Sequence, residues 1–246
     1  MPDSATATPT GPGVFARAIG IVTSPGATFK AALQHPRPAG ILFICCAVIA
    51  LAAGLPQFTE RGRQAALDSQ VQAVERFTGK PVTPEMYTQM EGRTQYGAYG
   101  ALAGVFVIMP VMSLIVAGVL WVVFNAILGG TAAFKSVLTV VTHSQVINAL
   151  GAVAAAPIQY FQGIQSMSGP FNLGALVPML EPGSFVAAFL GGISVFTLWQ
   201  LAVCGIGLAT LYSRQAGRVT AGLITFYLVL AAVIAGVISS FAGGQR

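Results

Sequence analysis

Charge is what this chain has least of. Only 8% of its 246 residues are Asp, Glu, Lys or Arg, against about 25% in soluble domains. Beyond Glu91 a single carboxylate remains, Glu181, so the apolar part of the chain lacks the acids that a general acid–base pair or a carboxylate metal site requires. Cysteine is scarce too. Cys45, Cys46 and Cys204 all lie inside apolar runs, a pattern that supports neither a disulfide framework nor a metal site and that reads as small packing residues. There is no HExxH, GxSxG, phosphate loop or CxxC. No catalytic residue, cofactor or metal is therefore expected, and the reading is non-enzymatic. No basic, aromatic-interleaved region lies outside the apolar runs, which argues against nucleic-acid binding.

Long apolar runs are what the chain does have. Hydrophobic residues make up 55% of it, and five segments reach the roughly 20 residues that cross a bilayer: 39–58, 99–128, 134–161, 184–212 and 219–242. The expected fold is all-α: a polytopic membrane protein, a five-transmembrane-helix bundle with N-terminal interfacial amphipathic helices. Residues 14–242 form one membrane domain with an outer loop over 59–98, and 1–13 and 243–246 are tails. Tight connections at 129–133 and 214–218 make antiparallel hairpins of spans two and three and of spans four and five. Pro110 and Pro157 stand inside spans, where proline removes a backbone donor and favours a kink.

Ahead of the first span, Val14, Phe15, Ala18, Ile19 and Val22 share one helical face. Ser24-Pro25 then pairs a capping hydroxyl with proline at a first helical position. Phe29 and Leu33, four apart, are expected to face the membrane, with Lys30 toward head groups, before His35-Pro36-Arg37-Pro38 ends the helix. Ser24, Pro25, Phe29 and Lys30 are thus candidates for interfacial docking, in two short helices on the membrane surface. In the outer loop, Leu67, Val71, Val74 and Phe77 or Thr78 form an amphipathic stripe, and Thr83-Pro84-Glu85 starts a second helix.

With the N-terminus inside, the inner segments carry Arg17, Lys30, Arg37, Lys135, Arg214 and Arg218 against Asp3 alone, while the outer segments carry six bases and six acids. Arg61, Arg63 and Arg93 count against that orientation, and a base-free 161–183 loop counts for it. The expectation is a cytoplasmic N-terminus, a periplasmic C-terminus and contact with anionic head groups on the cytoplasmic side. Gly100 and Gly104 form GxxxG, with Ala50/Gly54 and Gly151/Ala155 as weaker versions, the spacing that lets helices pack within one chain or between copies.

The third span holds the densest polar cluster: Thr139, Thr142, His143, Ser144, Gln145 and Asn148, with Lys135 at its inner end. Such groups usually face the bundle, and Lys135 can snorkel to the interface. His143 reads either as a neutral histidine hydrogen-bonded between helices or as a proton- or ligand-linked group. Asn125 and Gln200, on spans two and four, are its candidate neighbours. Asn125, Lys135, His143, Gln145, Asn148 and Gln200 are therefore the candidates for a polar path or a helix-packing site.

The segment 21–29, IVTSPGATF, resembles the opening motif of bacterial Yip-domain proteins, a family named for Ypt/Rab-interacting proteins. GGTAAFKSVLTV at 129–140 is similar to the family's glycine turn followed by Phe-Lys and an apolar helix, and FTLWQL at 196–201 with GIGL at 205–208 is similar to its late Trp and glycine segment. The resemblance covers roughly 14–242. It implies a five-span bundle with a cytosolic N-terminus and, for bacterial members, an inner-membrane location. Eukaryotic members act in vesicle trafficking and bind other membrane proteins. Two functions follow as expectations: a protein that organises or binds membrane components, with a partner membrane protein or as a homo-oligomer; or a channel or transporter for a small solute or protons through the polar third span.

Overall fold

Within a bilayer the surrounding solvent is itself apolar, so helices are sorted between the middle and the outside of a bundle largely by their polar and small residues. The computed structural model, which describes residues 13–165, 169–177, 179–181 and 183–243, follows that rule. The helices are α1 (Val14–Thr23), α2 (Pro25–Gln34), α3 (Pro38–Gly54), α4 (Glu60–Thr78), α5 (Pro84–Arg93), α6 (Gly97–Val122), α7 (Phe134–Gln162), α8 (Phe185–Gly191), α9 (Val195–Tyr212) and α10 (Ala216–Gly243). Five stretches are long and apolar enough to cross a membrane, and they contain α3, α6, α7, α9 and α10. The tail at 1–12, most of the C-terminal tail and the side chain of Phe77 lie outside the described residues.

The most polar of the five spans, α7, is the centre. Of its apolar window 61% is buried, against 11% for the spans containing α6 and α10. α3, α6 and α9 pack around α7, and α10 packs on α9. The valines, isoleucines and leucines of α6 and α10 are left on the outside. The turns at 129–133 and 213–215 lie on the same side of the bundle as α1 and α2, while α4, α5 and the described residues between α7 and α8 lie on the other. Arg214 donates to the Leu128 carbonyl at 3.0 Å, tying the two turns together. α6 ends in a π-helical turn, Val123–Ile127, which the sequence pattern did not show.

Three expectations need correction. The segment 184–212 is not one helix: it breaks between α8 and α9. The 171–173 strand of backbone satisfies the break, with Leu173 N–H donating to the Ile193 carbonyl at 2.9 Å and Val195 N–H to the Phe171 carbonyl at 3.0 Å. The Tyr227 hydroxyl donates to the Gly192 carbonyl at 2.6 Å. Irregular backbone at membrane depth survives only where protein supplies such partners. Second, Ser24 occupies the N-cap position of α2 but its hydroxyl caps nothing; the Thr28 hydroxyl instead donates to the Ser24 carbonyl at 3.0 Å. Third, Phe29 does not face the membrane. It is fully buried, as is Ile21. The apolar face of α1 divides accordingly: Val14, Ala18 and Val22 pack on the core, and Phe15 and Ile19 remain 73% and 66% exposed.

On the opposite side α4 starts at Thr59, whose hydroxyl accepts from Gly62 N–H at 3.1 Å. A Cβ at Gly62 would strike the Pro56 carbonyl, so glycine lets α4 fold directly back over the end of α3. Ala65, Ala66 and Leu67 of α4 are buried, and Val71 and Val74 are half-buried, so the amphipathic stripe faces the bundle. Thr83 caps α5 by accepting from Met86 N–H at 3.3 Å, and no residue of α5 is buried.

Candidate functional site

Residues 137, 140, 141, 144, 148, 151, 152, 155 and 159 recur three or four apart and form one stripe along α7. Its two ends are covered differently. At the inner end α1 and α2 lie across α7 and α9. The phenyl ring of Phe29 stands 6.4 Å from the His143 ring, centroid to centroid. Close approach there depends on Gly207, where a Cβ would lie 2.6 Å from Val140 Cγ1 and 2.9 Å from Phe29 Cζ.

The buried polar residues at this end are satisfied by their own helix. Thr139 donates to the Lys135 carbonyl at 2.8 Å, Thr142 to Leu138 at 2.9 Å and Ser144 to Val141 at 2.8 Å. His143 Nδ1 lies 2.7 Å from the Thr139 carbonyl, which fixes the proton on that nitrogen. This corrects the expectation of a histidine hydrogen-bonded between helices. Nε2 is buried with no hydrogen-bond partner among the described residues.

Nor do Asn125 and Gln200 meet His143. Asn125 locks the 129–133 turn, donating to the Ala132 carbonyl at 2.8 Å and accepting from the Tyr212 hydroxyl at 2.8 Å; Trp121 Nε1 donates to the same carbonyl at 2.9 Å. Tyr212 stacks on Phe124 at 4.9 Å. Lys135 is exposed at the start of α7.

The residues that do assemble are Gln145, Asn148 and Gln200. Asn148 Nδ2 donates to Gln145 Oε1 at 3.0 Å and to Gln200 Oε1 at 2.7 Å, and Gln200 Nε2 donates to Gln145 Oε1 at 3.1 Å. The three amides bridge α7 and α9 near mid-span. Gly151 brings the same helices together one turn further on, where a Cβ would lie 2.7 Å from the Phe196 ring. The candidate polar set is thus split into an exposed lysine, a turn lock, a buried histidine and an amide triad.

Above the triad, under α4, the stripe is not filled. A cavity of about 870 Å³ runs between α3, α4, α7 and the α8–α9 break. Alanines and glycines line much of it (Ala52, Ala53, Ala65, Ala66, Gly151, Ala152, Ala155 and Ala156), with Asn148 and Thr197 lower down and Gln57, Arg61 and Tyr160 toward α4. None of its lining residues precedes Asn148 on α7. The sequence reading missed this feature. Its signal is the coincidence of alanine-rich faces on α4 and α7, which becomes a cavity only when the two faces oppose each other. Arg61 closes one corner, donating to the Phe161 carbonyl at 2.5 Å with its guanidinium 6.0 Å from the Tyr160 ring centre.

Among the described residues no group of three His, Cys, Asp or Glu side chains is placed to hold a metal ion. Cys45, Cys46 and Cys204 are buried packing residues. Comparison with curated proteins and with solved structures finds no match for the chain. A family model, the Yip1 domain, matches residues 19–239, which takes in α2 to α9, most of α10, the amide triad and the cavity. By that match over nearly its whole length, the chain belongs to the Yip1-domain family.

Proposed function

We propose that this membrane protein is non-enzymatic and works by binding and organising other components within the bilayer, in a bacterial inner membrane, with its N-terminus cytoplasmic and its C-terminus periplasmic. The observation that carries this reading is an unused packing surface. Gly100 and Gly104 on α6 have nothing within 4 Å of a Cβ placed on them, and Gly222 and Gly236 on α10 are equally open. Within the chain, glycine contacts build the α7–α9 and α9–α10 seams instead, through Gly151 and Gly205. A GxxxG face that its own bundle does not use suits a helix from another protein or a second copy of this chain. The Yip1 family is not known for catalysis, which agrees with the absence of acids in the spans. Exposed Lys30, Arg37, Lys135, Arg214 and Arg218 all lie on the α1–α2 side and support contact with anionic cytoplasmic head groups. Exposed Ser24 and Lys30 and half-buried Pro25 supply the interfacial docking surface; Phe29 supplies the anchor beneath it.

The test is purification in mild detergent, followed by the mass of the complex and identification of what co-purifies. A second copy or a stoichiometric membrane protein is expected, released by Gly100→Leu with Gly104→Leu while thermal stability holds. A monomer without partners, or a complex indifferent to both substitutions, would sink the proposal.

One observation favours the second reading, a passive channel or transporter: the cavity reaches the amide triad halfway along α7. Buried Ile21, Phe29, Val140 and His143 fill the inner half, so this reading requires α2 to move. It predicts solute or proton flux in liposomes that Asn148→Leu abolishes. A flux-free reconstitution would rule it out.

A further inference from the structure

The 870 Å³ cavity is unlike the rest of the bundle. It falls within the roughly 300–1,000 Å³ of small-molecule sites, which are mainly apolar with a few placed polar groups. On α7 it runs from Asn148 to Tyr160, twelve residues, or about 18 Å at about 1.5 Å per residue. Half of a bilayer's hydrocarbon core is about 15 Å. The cavity therefore has the depth of one leaflet. Its walls are mainly methyl groups and the rings of Phe171 and Phe196, interrupted by Ser69, Gln70, Gln159 and Gln165. At its lower end Asn148 spends both amide hydrogens on Gln145 and Gln200, so its side chain offers no donor to a ligand.

Among the described residues one formal charge lines the cavity, Arg61. No described carboxylate lies within 4.0 Å of Arg61; Glu60 and Glu91 line a second pocket with it, on the side away from the alanines. Arg61 gives one N–H to the Phe161 carbonyl and keeps further donors of its planar fork for an anion. It sits at the first turn of α4, beside the last turn of α7, where a span leaves the hydrocarbon core. From these observations we infer that the cavity binds an anionic phospholipid from the leaflet on the α4 side. One acyl chain lies against the alanine faces of α4 and α7, and the phosphate lies at Arg61. This site is separate from the GxxxG face, and neither depends on the other.

The experiment reconstitutes the full chain in liposomes containing phosphatidylglycerol or phosphatidylcholine with a diazirine in the acyl chain, crosslinks with light, and maps adducts by peptide mass spectrometry. Bulk lipid labels the outward faces of α6 and α10 in every case and serves as the internal control for folding. The expected result adds adducts within 61–73 and 148–160, at least 5-fold stronger with phosphatidylglycerol. Arg61→Gln is expected to bring that ratio near one. Ala155→Phe, which sets a ring across the path between Asn148 and Arg61, is expected to remove the cavity adducts and spare those on α6 and α10. Adducts confined to α6 and α10 in the unaltered protein would overturn the inference, as would equal labelling by the two lipids. If Ala155→Phe fails to fold, the Arg61→Gln ratio decides.

Discussion

Removing the Phe29 ring separates two pictures of the N-terminal helices. In the first, α2 floats on the membrane surface and its aromatic residue dips into lipid. In the second, which the structure shows, the ring is fully buried between α2, α7 and α9. Phe29→Ala then leaves a ring-sized void beside His143. In packed cores such truncations cost about 3–5 kcal/mol. Part of that loss is recovered because a released α2 meets the membrane interface rather than bulk water, so the lower bound of about 3 kcal/mol is the working figure. At about 1.4 kcal/mol per tenfold, the opening equilibrium of α2 rises about 100-fold. Hydrogen exchange reads this directly, because a local opening exposes the amides of one segment without unfolding the rest. Residues 26–34 should exchange about 100-fold faster in Phe29→Ala, with α6 and α10 unchanged. Phe15→Ala is the control, since that ring is 73% exposed and its loss should leave 26–34 protected. Equal effects from the two substitutions, or a change below about 3-fold in Phe29→Ala, would refute the anchoring argument.

Gly207→Ala puts a methyl group 2.6 Å from Val140 Cγ1; overpacking of this kind costs about 1–3 kcal/mol, and the thermal unfolding midpoint in detergent should fall. Gly217→Ala, with nothing within 4 Å, should change stability by less than about 0.5 kcal/mol in the same assay. Asn148→Leu and Gln200→Leu should each cost about 0.6 and at most about 1.7 kcal/mol, the range for hydrogen bonds between membrane helices. Their effects should be non-additive in a double-mutant cycle, because both remove the 2.7 Å bond; strict additivity would show that the triad does not act as one unit. Tyr212→Phe keeps the stack on Phe124 but loses the bond to Asn125, and it should cost about 1 kcal/mol by unfolding.

Local rules account for what the sequence determined. A bilayer demands about 20 apolar residues per crossing, and the polar, proline- and glycine-bearing segments between crossings end the helices, whereas Pro110 and Pro157 are carried inside α6 and α7. So the five crossings, the 129–133 hairpin, the second hairpin (expected at 214–218, found at 213–215), the Thr83 helix start and the proline corner at Ser24-Pro25 were legible in the chain alone. That the polar side chains of α7 face the bundle was legible as well; its place at the centre came from the packed structure. Pairing between distant segments was not legible. Gln145, Asn148 and Gln200 meet because α7 and α9 are aligned to within a turn, and Asn125 meets Tyr212 rather than His143 because the ends of α6 and α9 lie side by side. The break at Gly192 survives because backbone at 171–173, some twenty residues earlier, supplies its partners. Phe29 turned inward because Gly207 leaves room for a ring on a helix nearly 180 residues away. The cavity exists only where two alanine faces oppose each other across a space that no larger side chain fills. Helix phase and alignment are collective properties of the packed bundle, and these the tertiary structure alone decided.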